Sequence, residues 1–188
     1  STDRTDTLVD AIEQVAVTFE LSGSSDHLDT VATHLAQSSI IGIGENSHGI
    51  AAFKQIPSLL VRRLVRDHGY RLVALEGTLG DFSLINQYIH GDSDELDAAI
   101  SSLEFYFWRT EAVKQLFEWL REFNRGRPDA DRVDVRGYDA QFHDINAGAI
   151  QSYLDRVDPE YLAEVSASLD PLIQPLYERS NASFMTES

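Results

Sequence analysis

The sequence predicts a helix-rich α/β fold: a parallel sheet with flanking helices, the sheet incomplete within these 188 residues. Three observations lead there. Ile40-Ile41-Gly42-Ile43 and Leu72-Val73-Ala74-Leu75 are short apolar runs bounded by polar residues, and Val133-Asp134-Val135-Arg136-Gly137 reads as a third strand. Stretches with apolar residues three and four apart fill the intervals. Strands that alternate with helices imply parallel pairing through right-handed crossovers. Three strands are fewer than the usual five or so, and residues 185–188 supply no closing strand. The expectation is a single α/β domain over residues 1–188, the N-terminal part of a longer chain.

Element by element, residues 7–21 place Leu8, Ile12, Val15 and Phe19 on one helical face. Residues 26–37 do the same with Leu28, Val31 and Leu35, with Ser25 or Asp26 as N-cap. The run at 40–43 is too short for a buried helix and rich in β-branched residues, so it is predicted as a central parallel strand. A long amphipathic helix follows over about 51–68, beginning at or bending around Pro57, with Gly69 as its stop. After the strand at 72–75 come helical stretches near 82–89 and 95–103, then an irregular aromatic segment at 104–110. Residues 111–124 form a helix with Val113, Leu116, Phe117 and Leu120 inward. A turn at 126–131, the third strand and helices at about 145–156 and 159–177 complete the chain.

Composition narrows the function. No cysteine is present, which excludes disulfides and thiolate metal sites. No apolar run reaches the eighteen or so residues of a membrane span, and residues 1–10 lack the basic and apolar parts of a secretory signal. The cytoplasm is the default expectation. The net charge of -16 is spread along the chain, which would repel phosphate backbones and argues against nucleic acid as a partner. Only Lys54 and Lys114 supply lysine; the other basic side chains are Arg. Loss of Lys with high acidity points to adaptation to high salt, where the Debye length shrinks to about 3 Å at 1 M; the plainer reading is an acidic protein of a mesophile.

In open α/β sheets ligands bind beyond the carboxyl ends of the strands. The three predicted strands end in Gly44-Glu45-Asn46-Ser47-His48-Gly49, in Glu76-Gly77 and in Gly137-Tyr138-Asp139-Ala140-Gln141. Each end carries a carboxylate and the first adds a histidine. A histidine held by a carboxylate has its tautomer fixed and accepts a proton from water near neutral pH. Gly42, Gly44 and Gly49 would permit close approach of a substrate to the backbone. Each element also has a plainer reading: Glu-x-x-His as a helix cap or surface pair, Glu76 as a structural carboxylate, Asp139 as a helix cap. The aromatic residues Phe105, Tyr106, Phe107 and Trp108 line an apolar substrate wall or pack as core; the sequence leaves both open.

The motif residues resemble those of the erythromycin esterase family. Residues 44–49 are similar to its Gly-Glu-x-[Ser/Thr]-His-Gly signature, and Ala74-Leu75-Glu76-Gly77 to an apolar strand ending in Glu. Trp108-Arg109-Thr110, followed by Glu111, Leu116, Trp119, Arg121 and Asn124, resembles its Trp-Arg-Thr helix, and residues 137–141 its Gly-x-Asp-x-Gln strand end. Order and spacing agree over about residues 39–142. The resemblance implies metal-independent hydrolysis of an ester or lactone, macrolide-like or another polyketide or sugar ester, with no cofactor and a small-molecule ester as partner. By it His48 activates water, and Glu45 and Glu76 orient the water or share its proton. Trp108, Arg109, Asp139 and Gln141 become candidate substrate contacts. Two departures stand out. The family places an Arg nine residues after the motif His, where this chain has Pro57, and Lys54 is the candidate replacement for that charge and a further substrate contact. The family also draws a histidine from its second half, and nothing after Asp144 offers one. Two other readings remain: a metal- or haem-binding protein using Glu45, His48, Glu76 and His143, and a non-catalytic remnant that binds a ligand.

Overall fold

The computed structural model describes residues 2–14, 16, 26–45, 47–48, 50–139 and 143–174. Its helices are α1 (Thr2–Glu13), α2 (Asp26–Leu35), α3 (Ala52–His68), α4 (Ser83–His90), α5 (Leu96–Ser101), α6 (Glu111–Asn124), α7 (Asp144–Val157) and α8 (Pro159–Ile173). Two strands, β1 (Leu72–Thr78) and β2 (Asp134–Asp139), form a parallel pair. The expected helix-rich α/β class with an incomplete sheet is what the chain adopts. By contact the chain divides into two units, Ser1–His68 and Gly69–Ser188, each described in its own terms.

In the first unit α2 and α3 pack together. Leu28 and Ala32 are one turn apart and buried, as are Leu60 and Leu64, the spacing that turns one stripe of a helix inward. Arg63 of α3 pairs with Asp29 of α2. The helix predicted from residue 51 begins at Ala52 and runs through Pro57 to His68. Pro57 removes one amide donor near the helix start, a loss the remaining turns outweigh. Gly69 follows with φ 76°, the left-handed stop expected of it. Val15 and Phe19 of the first predicted helix, and Ser25, lie outside the described residues.

The predicted strand at residues 40–43 does not form. Residues 41–45 have no regular structure, Ile40 is 89% exposed, and Ile43 is also exposed. β-branched residues favour strands because they pack well on a pleated surface. Without a ladder partner their propensity alone does not hold an extended segment. The described sheet is therefore β1 and β2 only.

In the second unit α4, α6 and β2 surround a core that includes Phe82, Ile85, Phe117, Leu120, Val133 and Val135, all essentially inaccessible. Full burial of a side chain such as Phe117 contributes about 2–3 kcal/mol. The inward face of α6 is the one its spacing predicts: Val113, Leu116, Phe117 and Leu120 are all buried. Thr110 caps this helix by accepting a hydrogen bond from the Val113 amide. Asp158 caps α8 through the Tyr161 amide, with Pro159 opening the helix.

The outer edge of β2 is closed by side chains. Asn124, at the end of α6, accepts from the Val133 amide at 2.8 Å and donates to the Val133 and Ile89 carbonyls at 3.0 and 3.1 Å. Two residues on, Asn86 of α4 accepts from the Val135 amide at 2.9 Å and donates to its carbonyl. A carboxamide carries the same donor and acceptor as a peptide group, so the two asparagines stand in for a neighbouring strand. His90 joins this edge. Its Nε2 lies 2.9 Å from Asp134 Oδ1 and 3.2 Å from the Val133 carbonyl.

Candidate active site

Glu45 and His48 sit on the irregular segment before α3, and Lys54 in the first turn of that helix. His48 Nδ1 is 3.2 Å from Glu45 Oε2. Lys54 Nζ donates to the same oxygen at 2.6 Å. A carboxylate only accepts, so Nδ1 carries the proton of the neutral ring and the lone pair lies on Nε2. The His48 side chain is 44% exposed, whereas that of Lys54 is 6% exposed and that of Glu45 largely buried. Glu45 Oε1 is shielded from solvent and has no hydrogen-bond partner among the described residues. The histidine is thus the accessible member of the cluster, and the charges behind it are sequestered. Lys54, expected to touch substrate, places its ammonium on Glu45.

In the second unit the carboxyl end of β1 is bulged. Leu75 pairs with Gly137 and Thr78 with Asp139, so Glu76 and Gly77 together face Tyr138. Gly77 has φ 153°, and a Cβ there would meet the Phe82 ring at 2.8 Å. Across the bulge a Cβ on Gly137 would lie 2.1 Å from the Thr78 carbonyl oxygen. Only glycine permits this approach of the two strands. The backbone carbonyl of Glu76 accepts from Trp108 Nε1 at 2.6 Å, which anchors the aromatic segment to the strand end. Within that segment Phe107 is buried, and its ring lies 5.0 Å from Phe105 and 5.3 Å from Trp108. Tyr106 is exposed. The aromatic run is therefore partly core and partly surface. Arg109, a candidate substrate contact, donates through Nε and Nη2 to the Leu103 carbonyl at 3.2 and 2.6 Å, closing the loop. Asp139 is half-buried at the end of β2, and the next helix, α7, begins at Asp144 with His143 at its N-cap position. Gln141 lies outside the described residues.

Sequence reasoning missed the turn after β1. Asp81 is 4% exposed. Its Oδ2 accepts from the Thr78 amide at 3.2 Å, and its own amide donates to Thr78 Oγ1. Asp81 Oδ1 is buried without a partner among the described residues. Burial pushes its carboxyl above the ordinary range; the bonds to Thr78 oppose this and the charge of Asp144 adds to it. Glu104 is also raised, by partial loss of water around its carboxyl and then by Asp81 and Asp144. One further contact fixes the turn: the Gly80 amide donates to Asn146 Oδ1 at 2.7 Å. The spacing Thr-x-x-Asp just after a predicted strand was the available signal for this turn. Among the described residues no three His, Asp or Glu side chains gather closely enough to hold a metal ion.

These features define the class: a helix-rich α/β protein with a glycine-bulged strand end and a histidine oriented by a carboxylate, the pairing used in general-base chemistry. Comparison with known proteins sharpens it. Residues 65–186 match the family described as erythromycin esterase. Erythromycin esterase type II of Escherichia coli is 30% identical over 112 residues, 58% of this chain and 26% of that protein. The fold is shared with a succinoglycan biosynthesis protein (TM-score 0.73, 22% identity, 89% of this chain and 43% of the other). It is shared as well with a Bacillus cereus protein (TM-score 0.75, 21% identity, 90% and 41%). The chain belongs to the erythromycin esterase family. Its matches span about a quarter of the E. coli relative and about two fifths of the two solved structures. The segment carrying Glu45 and His48 precedes the residues matched to the family.

Proposed function

We propose that the protein is a hydrolase of carboxylic esters or lactones in which His48 is the general base. The observation that carries this reading is the 3.2 Å contact between His48 Nδ1 and Glu45 Oε2 on an accessible ring. In the proposed step Nε2 takes a proton from water as the water oxygen bonds to the ester carbonyl carbon. The tetrahedral oxyanion then collapses, the carbon–alkoxide bond breaks, and the imidazolium returns its proton to the leaving oxygen. The products are a carboxylic acid and an alcohol. Glu45 orients the ring and balances the imidazolium. Glu76 is proposed as a second carboxylate in the reaction, and Trp108, Arg109, Asp139 and Gln141 as substrate-side residues. The name of the E. coli relative supports esters as the substrate class, with macrolide-like lactones and other polyketide or sugar esters as the first candidates.

The test is hydrolysis of a panel of esters and lactones in molar KCl, with wild type, His48→Ala and Glu76→Gln, each with and without EDTA. The acidic, lysine-poor composition motivates the salt. General-base catalysis is worth about 10²–10⁴ in rate, so His48→Ala should lose at least about a hundredfold in kcat while EDTA changes nothing. Full activity in His48→Ala would reject the assignment. Loss with EDTA would favour a metal-dependent reading instead.

A further inference from the structure

We propose that Lys54 is a positioning residue that acts through Glu45 to hold His48 in its base-competent tautomer. The proposal rests on the reading of His48 as the base.

The case begins with the rarity of lysine. Of fifteen basic side chains only Lys54 and Lys114 are Lys. Lys114 lies on the surface beside Asp97. Lys54 is buried, an unusual place for an ammonium unless a counter-charge meets it. That counter-charge is Glu45, with Nζ 2.6 Å from Oε2. The same oxygen takes His48 Nδ1. Two donors of different stiffness therefore converge on one acceptor. Glu45 has no regular structure and His48 lies in a turn. Lys54 belongs to α3, and its own carbonyl is bound at 2.7 Å by the Ser58 hydroxyl one turn on. The ammonium thus ties the loop carboxylate to a helix. Because Oε1 has no donor among the described residues, the contact at Oε2 decides how the carboxylate is turned. The carboxylate in turn decides which ring nitrogen of His48 keeps its proton.

The experiment reads the ring directly, so it does not depend on finding a substrate. Nitrogen NMR of ¹⁵N-histidine-labelled protein in molar KCl reports the tautomer of His48, assigned by its loss in His48→Ala. Wild type should show a single Nδ1–H tautomer. Lys54→Met should show a mixture of the two tautomers, and Glu45→Gln the same mixture. Adding Lys54→Met to Glu45→Gln should change the signal no further. A pure Nδ1–H tautomer in folded Lys54→Met would overturn the proposal. Should that variant fail to fold, Lys54→Ala, which also removes the donor, is read by the same two outcomes. Where hydrolysis is measurable, kcat should fall about tenfold in Lys54→Met with KM unchanged, and Lys54→Arg should recover most of it. A raised KM with unchanged kcat would make Lys54 a substrate contact instead. Absence of hydrolysis in every form would count against the esterase reading and leave the NMR result to decide the role of Lys54.

Discussion

Two regions of the molecule carry the candidate chemistry, and they are built by opposite means. Among residues 41–51, which precede α3, the described ones have no helix or strand, and charged side chains connect them to that helix: Lys54 on Glu45, Glu45 on His48. Residues 76–81 and 137 are fixed by the backbone itself. There glycine is demanded by contact distances of 2.1 and 2.8 Å, the Glu76 carbonyl accepts from Trp108 and the Gly80 amide donates to Asn146. A site held by side chains can change its chemistry with little effect on the fold. A site held by backbone packing cannot, because each substitution displaces a strand.

Four stability measurements in molar KCl would break or sharpen that contrast. Gly137→Ala should be the most damaging. Its Cβ has no room beside the Thr78 carbonyl, so a loss of more than about 4 kcal/mol is expected, seen as absent or insoluble folded protein. Asn124→Ala should come next. It removes the side-chain partner of the buried Val133 amide and leaves the Val133 carbonyl with His90 in place of two partners, and unsatisfied buried groups cost about 1–3 kcal/mol each. Denaturant unfolding should register a loss of about 3 kcal/mol, and a loss below about 1 kcal/mol would mean that water replaces the asparagine.

Asp81→Asn should act mainly on pH dependence. A carboxyl whose folded value is raised binds protons more readily in the native state than in the unfolded chain. Stability then falls as pH climbs from the ordinary carboxylate range through the raised folded value. Glu104 contributes with the same sign. The variant should lose the Asp81 part of that slope and differ from wild type by about 1 kcal/mol or less at low pH; an unchanged slope would remove Asp81 from the account. His48→Ala should be the mildest. Its half-exposed ring carries little of the fold, so unfolding should shift by no more than about 0.5 kcal/mol even as activity is lost. A large shift would mean that the first region is structural as well.

Much of the architecture was legible from periodicity. The inward face of α6, the stop at Gly69, the parallel strands at 72 and 134 and the hairpin of α7 and α8 all follow from apolar spacing and glycine placement. β1 runs three residues and β2 two beyond the predicted strands, because they extend each other through the bulge. The failed strand at 40–43 marks the limit of such reading: a short apolar run records that a strand would be tolerated, not that a partner stands beside it. The substitution of side chains for a third strand at Asn86 and Asn124 was equally invisible, since a buried asparagine has no local pattern of its own.

What the sequence determined by itself was the inventory and its order: a Glu-x-x-His on a glycine-flanked segment, a strand with Glu-Gly after its apolar run, a second strand that carries a glycine, and an acidic composition nearly without lysine. Tertiary structure decided the partners. It buried one of the two lysines against Glu45, made Gly77 and Gly137 obligatory, tied Arg109 to a carbonyl and trapped Asp81 in a turn. The physical reason is that spacing along a chain fixes which faces are apolar, whereas the pairing of a charge or the clearance beside a glycine depends on how the backbone between the partners is folded, which spacing does not specify.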